Sequence, residues 1–156
     1  MRSLISTVLS VVMSSIFVPA RQKETPMKHH ARGTFTVNIQ PLTPAPADGL
    51  GRFSIDKQIH GDLEATTKGE MFSGGDYKSG AAGYVAIEVV TGTLAGKHGS
   101  FALQHMATMD ENGLKQSVVV VPGSGKGELK GMAGTFTIQI VDGKHSYDFE
   151  YTLPGS

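Results

Sequence analysis

Hydrophobic and polar residues alternate with a period of two along most of the chain after Met27. Phe35, Val37 and Ile39, for example, are separated from one another by single polar residues. Successive side chains of a β-strand point to opposite faces, so this pattern predicts strands with two different faces. Helical periodicity is absent, and the fold class that we expect is therefore all-β.

Glycine and proline mark the predicted breaks between strands. Pro41 to Asp48 is a proline-rich loop, because proline cannot donate to a strand ladder. Phe53 to Phe72 is one long bent strand or two strands, with Gly61 as the corner. Ser73 to Ala82 is rich in glycine and is predicted to be a mobile loop.

Gly96-Lys97 has the composition of a two-residue hairpin turn. Such a turn would pair Glu88 directly with His105 in the ladder. A four-residue turn from Gly96 to Gly99 would shift this pairing by two residues. Both turns place Glu88 and His105 on the same face of the sheet.

Asn112-Gly113 and Asp142-Gly143 predict two further hairpins. The first would pair His105 with Val120 and Ala107 with Val118, which places both valines on the face of Glu88 and His105. The second separates an apolar from a polar face. The apolar face of this last hairpin contains Phe136, Ile138, Ile140, His145, Tyr147, Phe149 and Tyr151.

The strand that contains Glu88 is apolar on its other face as well. Val85, Ile87 and Val89 lie on that second face, together with Met106 of the next strand. A sheet with two apolar faces requires cover on both. We therefore expect one face to line a barrel and the other to meet a helix, a loop or another subunit, and we expect a homo-oligomer.

Residues 1 to 26 form a separate leader. A short basic start precedes the mostly apolar stretch from Leu4 to Val18, and small residues follow at Pro19-Ala20, as in a secretory signal peptide. The stretch is too short for a stable membrane anchor. The protein is secreted or periplasmic if this reading is right, and cytoplasmic if translation starts at Met27 instead. Residues 27 to 156 are expected to form a single barrel domain.

The composition excludes several classes of function. Lys plus Arg (14) balance Asp plus Glu (14), so no overall field attracts nucleic acid. The chain has no Cys, which excludes disulfides and thiolate sites. No histidine has the spacing of a metal site, and the adjacent His29 and His30 would point to opposite sides of a strand. We expect neither a metal nor a cofactor.

Gly123 to Gly131 (GSGKGELKG) invites comparison with nucleotide-binding loops. The positions of its glycines and lysines match neither the phosphate-binding loop nor the dinucleotide-binding pattern. We expect a glycine-rich turn, followed by a short helical segment from Glu128 to Ala133 that closes one end of the barrel.

Four segments in this order are characteristic of one family: GDLEATTKGEM (61–71), GYVAIEVVTGTLAGKHGSFALQH (83–105), GSGKGELKGMAGTFTI (123–138) and DGKHSYDFEYTL (142–153). The chain resembles the bacterial family of domains of unknown function DUF3224 from about Lys28 to Leu153. The resemblance implies an allene oxide cyclase-like fold, a closed antiparallel barrel of about eight strands with a narrow cavity. It implies no assigned activity, and no catalytic motif of allene oxide cyclase is present to be carried over.

Glu88 and His105 are the candidate catalytic pair. A charged Glu88 within the run YVAIEVV is costly unless a partner compensates it, and His105 is the obvious partner. A carboxylate that orients an imidazole makes a general base, and Tyr84 on the same face could donate to a developing oxyanion. The alternative is a structural ion pair that fixes the strand register.

The candidate ligand-binding residues fall into two groups. Phe101, Leu103, Val118 and Val120 share the face of Glu88 and would line the barrel. Glu64 and Glu70 share a face of their own strand, which by itself predicts a solvated surface, whereas the resemblance suggests a position inside the barrel.

Three functions fit these predictions. The first is a barrel that binds a small apolar molecule in its cavity. The second is an isomerase or cyclase in which Glu88 and His105 move a proton. The third is a structural or interaction protein that works through its outer apolar face. A large cavity would favour the first two over the third, but no sequence feature separates a binding protein from an enzyme.

Overall fold

The computed structural model describes residues 26–154, which form nine β-strands and no helix. The strands are β1 (His29–Pro41), β2 (Leu50–Gly61), β3 (Leu63–Asp76), β4 (Ala81–Leu94), β5 (Lys97–Asp110), β6 (Gly113–Val120), β7 (Lys126–Gly127), β8 (Ala133–Val141) and β9 (Lys144–Thr152). Residues 1–25, which contain the predicted signal peptide, lie outside the described residues.

Eight long strands close into an antiparallel barrel, as predicted. Among these eight strands, neighbours in the ring follow one another in the chain, with only the short β7 between β6 and β8, and β1 pairs with β9 to close the ring. The two-residue β7 adds to the start of β5, where Gly99 pairs with Gly127. No helix among the described residues is long and apolar enough to cross a membrane.

The first predicted hairpin register is wrong by two residues, although the predicted faces are right. Ala95 and Gly96 form the turn between β4 and β5, and both have positive φ angles (50° and 77°). This is the conformation that a tight hairpin requires. Glu88 therefore pairs with Leu103 instead of His105, but Glu88 and His105 still lie on the inner face.

The second predicted register is also wrong by two residues. Asp110 pairs with Gly113, so the turn consists of Glu111 and Asn112 instead of Asn112 and Gly113. The Asp110 carboxylate accepts the Asn112 backbone N–H at 2.8 Å and stabilises this turn. The third hairpin has the predicted turn, and Val141 pairs with Lys144.

One of the predicted loops differs from the structure. Ser73 to Ala82 is not a long loop, because β3 and β4 remain paired as far as Asp76 and Ala81 and only a tight turn joins them. The backbone N–H of Lys78 donates to the Asp76 carboxylate in this turn. Gly61, with a φ of 120°, is the corner between β2 and β3, as predicted.

The core fills one half of the barrel. Phe101 and Phe149 are almost fully buried and stack with their ring centroids 5.6 Å apart. Leu129 and Met132, from the segment after β7, are buried against them. This segment closes the end of the barrel as predicted, but it consists of successive turns and not of a helix.

The outer face of β4 is apolar and exposed, and Met106 of β5 extends it. Val85, Ile87, Val89 and Met106 have exposed fractions between 49% and 57%. Val85 pairs with Met106 across the two strands, so these side chains form a continuous patch. The predicted apolar outer face is therefore present, and the homo-oligomer inferred from it stays a prediction.

Candidate functional site

The half of the barrel opposite the packed core contains an open cavity of about 480 Å³. Its wall is mainly apolar and includes Phe35, Val37, Ile39, Phe53, Ile55, Ile138 and Ile140. Along β2, Phe53 and Ile55 line the cavity, Lys57 follows, and Ile59 belongs to the packed core. Lys57 therefore lies where the open half of the barrel meets the packed half.

All the buried polar side chains of the described residues meet at this boundary. They are Lys57, Thr67, Glu88 and His105, and each lies on a different one of the consecutive strands β2 to β5. Their inward orientation follows from the period-two alternation of each strand. Four adjacent strands thus deliver one polar residue each to the same level of the barrel.

Glu88 lies at the centre of this polar cluster. Its Oε1 accepts from Lys57 Nζ at 2.5 Å and from His105 Nε2 at 2.8 Å, and its Oε2 accepts from Thr67 Oγ1 at 2.6 Å. Gly69 pairs with Glu88 across the ladder. A Cβ atom at Gly69 would lie 2.6 Å from the Glu88 Cβ, so the glycine allows β3 and β4 to approach at this position.

The contacts of Glu88 keep it ionised inside the protein. Burial acts to raise its pKa, but the His105 hydrogen bond and the Lys57 charge outweigh burial and lower the pKa from 4.5 to about 2. Both carboxylate oxygens are engaged, and the side chain is fully buried. Glu88 therefore orients its neighbours and does not itself contact the cavity.

His105 is the residue that connects Glu88 to the cavity. An ionised carboxylate can only accept, so Nε2 of His105 carries the proton that it donates to Glu88. The described residues contain no buried side-chain nitrogen or oxygen without a hydrogen-bond partner. His105 lines the cavity, and its second nitrogen, Nδ1, is therefore not fully enclosed by protein atoms.

Lys57 and Tyr84 also line the cavity. Lys57 Nζ lies 5.2 Å from the centroid of the Phe35 ring, so an aromatic face also stabilises its charge. Tyr84 Oη accepts from Gln116 Nε2 at 2.7 Å, which leaves its own O–H to donate. Burial raises the pKa of Tyr84 and keeps that proton in place.

The predicted site residues do not all meet at the cavity. Tyr84 and His105 line it, and Glu88 lies behind them. The four predicted lining residues Phe101, Leu103, Val118 and Val120 lie instead in the packed core. They are on the inner face as predicted, but that half of the barrel is filled by side chains.

Glu64 and Glu70 lie outside the barrel, so the suggested position inside it is wrong. Both residues alternate with inward-facing residues of β3. Glu64 accepts from the Gly61 backbone N–H at 2.8 Å, and Glu70 forms a bidentate pair with Arg52. The solvated face that the local pattern predicted is therefore the one observed.

The sequence prediction missed Lys57 and Thr67. Lys57 lies two residues from both Ile55 and Ile59, so it shares a strand face with these apolar residues and with Phe53. This spacing places the Lys57 side chain inside the barrel. The signal was therefore present in the sequence. Within residues 26–154, no group of three or more His, Cys, Asp or Glu side chains could hold a metal ion.

Comparisons with known proteins agree with this architecture. The family described as "Protein of unknown function (DUF3224)" matches residues 31–151. A crystal structure of a DUF3224 protein of unknown function from Shewanella oneidensis MR-1 is 40% identical, with a TM-score of 0.75. The match covers 83% of this chain and 100% of that one. A search of curated proteins found no match. The chain therefore belongs to the DUF3224 family, whose β-barrel fold it shares.

Proposed function

We propose that the barrel binds a small, mainly apolar molecule in its open half. The observation that supports this proposal is the cavity of about 480 Å³, whose wall is mainly apolar. Cavities that bind small molecules are typically about 300–1,000 Å³, mostly apolar, with a few polar groups that orient the ligand.

The polar groups at the inner end define the expected ligand further. Lys57 and Tyr84 offer N–H and O–H donors, and His105 offers a ring nitrogen. The negative charge of Glu88 balances the positive charge of Lys57, so this end of the cavity has no excess charge that would favour a strongly charged ligand. An apolar molecule with one uncharged oxygen group fits these features best.

The experiment compares two alanines that are adjacent in β4. Ala82 lines the cavity, whereas Ala81 is exposed. The neutral fluorescent probe N-phenyl-1-naphthylamine should bind the wild-type protein with increased emission. Ala82→Phe places a ring in the cavity and should weaken binding at least about tenfold, a loss of about 1.4 kcal/mol in binding free energy.

Ala81→Phe is the matched control, because it adds the same ring outside the cavity. It should bind the probe as the wild-type protein does. Equal binding by both variants would show that the probe binds elsewhere, for example on the exposed patch of β4 and β5, and would contradict the proposal.

A further inference from the structure

We infer that the cavity catalyses proton transfer at a carbon atom next to a carbonyl group, with His105 as the general base. This inference rests on the proposed binding function and names its substrate class, an apolar ketone or aldehyde with a hydrogen on the α-carbon. The geometry that supports it is the orientation of His105 between a buried carboxylate and an open cavity.

The Glu88–His105 pair has the arrangement of a working base. Glu88 Oε1 holds His105 Nε2 at 2.8 Å, which directs the proton to Nε2 and leaves the lone pair of neutral His105 on Nδ1. For catalysis, Nδ1 must reach a ligand in the cavity that His105 lines. When the ring accepts a proton, the adjacent carboxylate stabilises the imidazolium that forms.

The cavity also contains donors for the charge that develops on the carbonyl oxygen. Tyr84 retains its own O–H, because its hydrogen bond with Gln116 uses the amide as donor. Lys57 uses one N–H for Glu88 and also lines the cavity, so its remaining N–H groups are the second set of donors that we assign to the carbonyl oxygen. Fixed donors of this kind stabilise an enolate within a site of low dielectric constant.

The step is balanced without any further reactant. His105 Nδ1 takes the proton from the α-carbon, and the electron pair of that C–H bond forms a C=C bond. The carbonyl π electrons move to the oxygen, which becomes an enolate held by Tyr84 and Lys57. The proton on Nδ1 then exchanges with solvent, so that return of a solvent-derived proton to the same carbon completes a hydrogen exchange. In a substrate with a C=C bond conjugated to the enolate, return to the far carbon of that bond gives an isomer.

If the Glu88–His105 pair were purely structural, His105 would not need to lie at the cavity. Lys57 and Thr67 already supply one partner for each oxygen of Glu88. The third contact, from His105, places an ionisable ring against the cavity instead of within the core. That position has a chemical use, whereas a contact that only fixes register gains nothing from access to a ligand.

The test measures hydrogen exchange of 2-tetralone, an apolar ketone with acidic α-protons, in D₂O by proton NMR. The wild-type protein should accelerate exchange, and His105→Gln should lower the rate by about 100-fold. Tyr84→Phe should lower it by about tenfold, because it removes one of two donors. Tyr84→Phe should fold even if His105→Gln does not, because the Tyr84 hydroxyl forms a hydrogen bond only with the Gln116 side chain. A lower rate in this variant therefore cannot be attributed to unfolding.

His98→Gln is the matched control, because free imidazole groups also catalyse this exchange. His98 is exposed at the opposite end of β5 and does not line the cavity, so its variant should keep the wild-type rate. Equal rates for the wild-type protein and His105→Gln would overturn the inference.

Binding is measured in parallel, by displacement of N-phenyl-1-naphthylamine with 2-tetralone. Displacement without accelerated exchange would refute the proton transfer and leave the binding function intact. A bound probe that 2-tetralone does not displace would refute the carbonyl substrate class. Failure of the probe itself to bind would refute the proposed function and, with it, this inference.

Discussion

Replacing Glu88 by glutamine tests whether the buried carboxylate stabilises the barrel through its charge. Glutamine keeps the size of the side chain but removes the negative charge between Lys57 and His105. The pKa of Glu88 falls from 4.5 to about 2 in the folded protein, which corresponds to about 3 kcal/mol of stability near neutral pH. We expect Glu88→Gln to lose stability of that order, because Lys57 keeps a buried charge without its partner.

The loss should depend on pH in a defined direction. A carboxylate whose pKa is lowered by folding stabilises the protein fully above its unfolded value of 4.5, and this contribution disappears as the pH falls through about 2. The difference in the free energy of unfolding between the two proteins should therefore be largest at pH 7 and should shrink steadily below pH 4.5.

Urea unfolding followed by far-UV circular dichroism measures this difference at each pH, and the chain has no Trp for a fluorescence signal. Glu70→Gln is the control, because Glu70 pairs with Arg52 on the outer surface and its loss should change stability little. A Glu88→Gln protein as stable as the wild type at pH 7, or a difference that does not change with pH, would refute the argument.

The two halves of the barrel and its outer face give further predictions. Phe149→Ala should cost about 3–5 kcal/mol of unfolding free energy, because Phe149 is fully buried in the packed half. Phe53→Ala should cost clearly less, since Phe53 borders the cavity. Urea unfolding measures both losses, and equal losses of unfolding free energy would contradict the division into a packed and an open half. We also propose that the exposed patch around Ile87 is the subunit interface of a homo-oligomer. Ile87→Lys should therefore give monomers in sedimentation equilibrium. A wild-type protein that is already monomeric at micromolar concentration would contradict this.

The strands were predictable because alternation is a local signal, whereas their closure into a barrel of about eight strands was implied by the family resemblance. The period of two in β1 and the Asp142-Gly143 turn describe the barrel wall without any knowledge of distant contacts. The first two turns were misplaced because several short glycine-containing segments suit a hairpin. The assignment of residues to the inner and outer faces was still correct, because a shift of two residues preserves the alternation.

Only part of the site was predictable from the sequence, because alternation does not show which inward-facing residues line the cavity. Alternation states that Phe101 and Tyr84 both face inward, but not that one lies in the packed half and the other in the open half. That distinction depends on how Leu129 and its neighbours fold back over one end. Glu88 and His105 stood out as polar residues in apolar runs, whereas Lys57 was overlooked in a more mixed strand.

The pairing of the first strand with the last affects how the barrel forms during synthesis. Ala31 pairs with Phe149, so one edge of β1 stays without its partner until the C-terminal strand has left the ribosome. Strands β1 to β6 can pair in order as they emerge, but the ring closes only in the final step. Until then the nascent chain carries an open strand edge, the feature that promotes aggregation. Truncation before β9 would leave that edge permanently open.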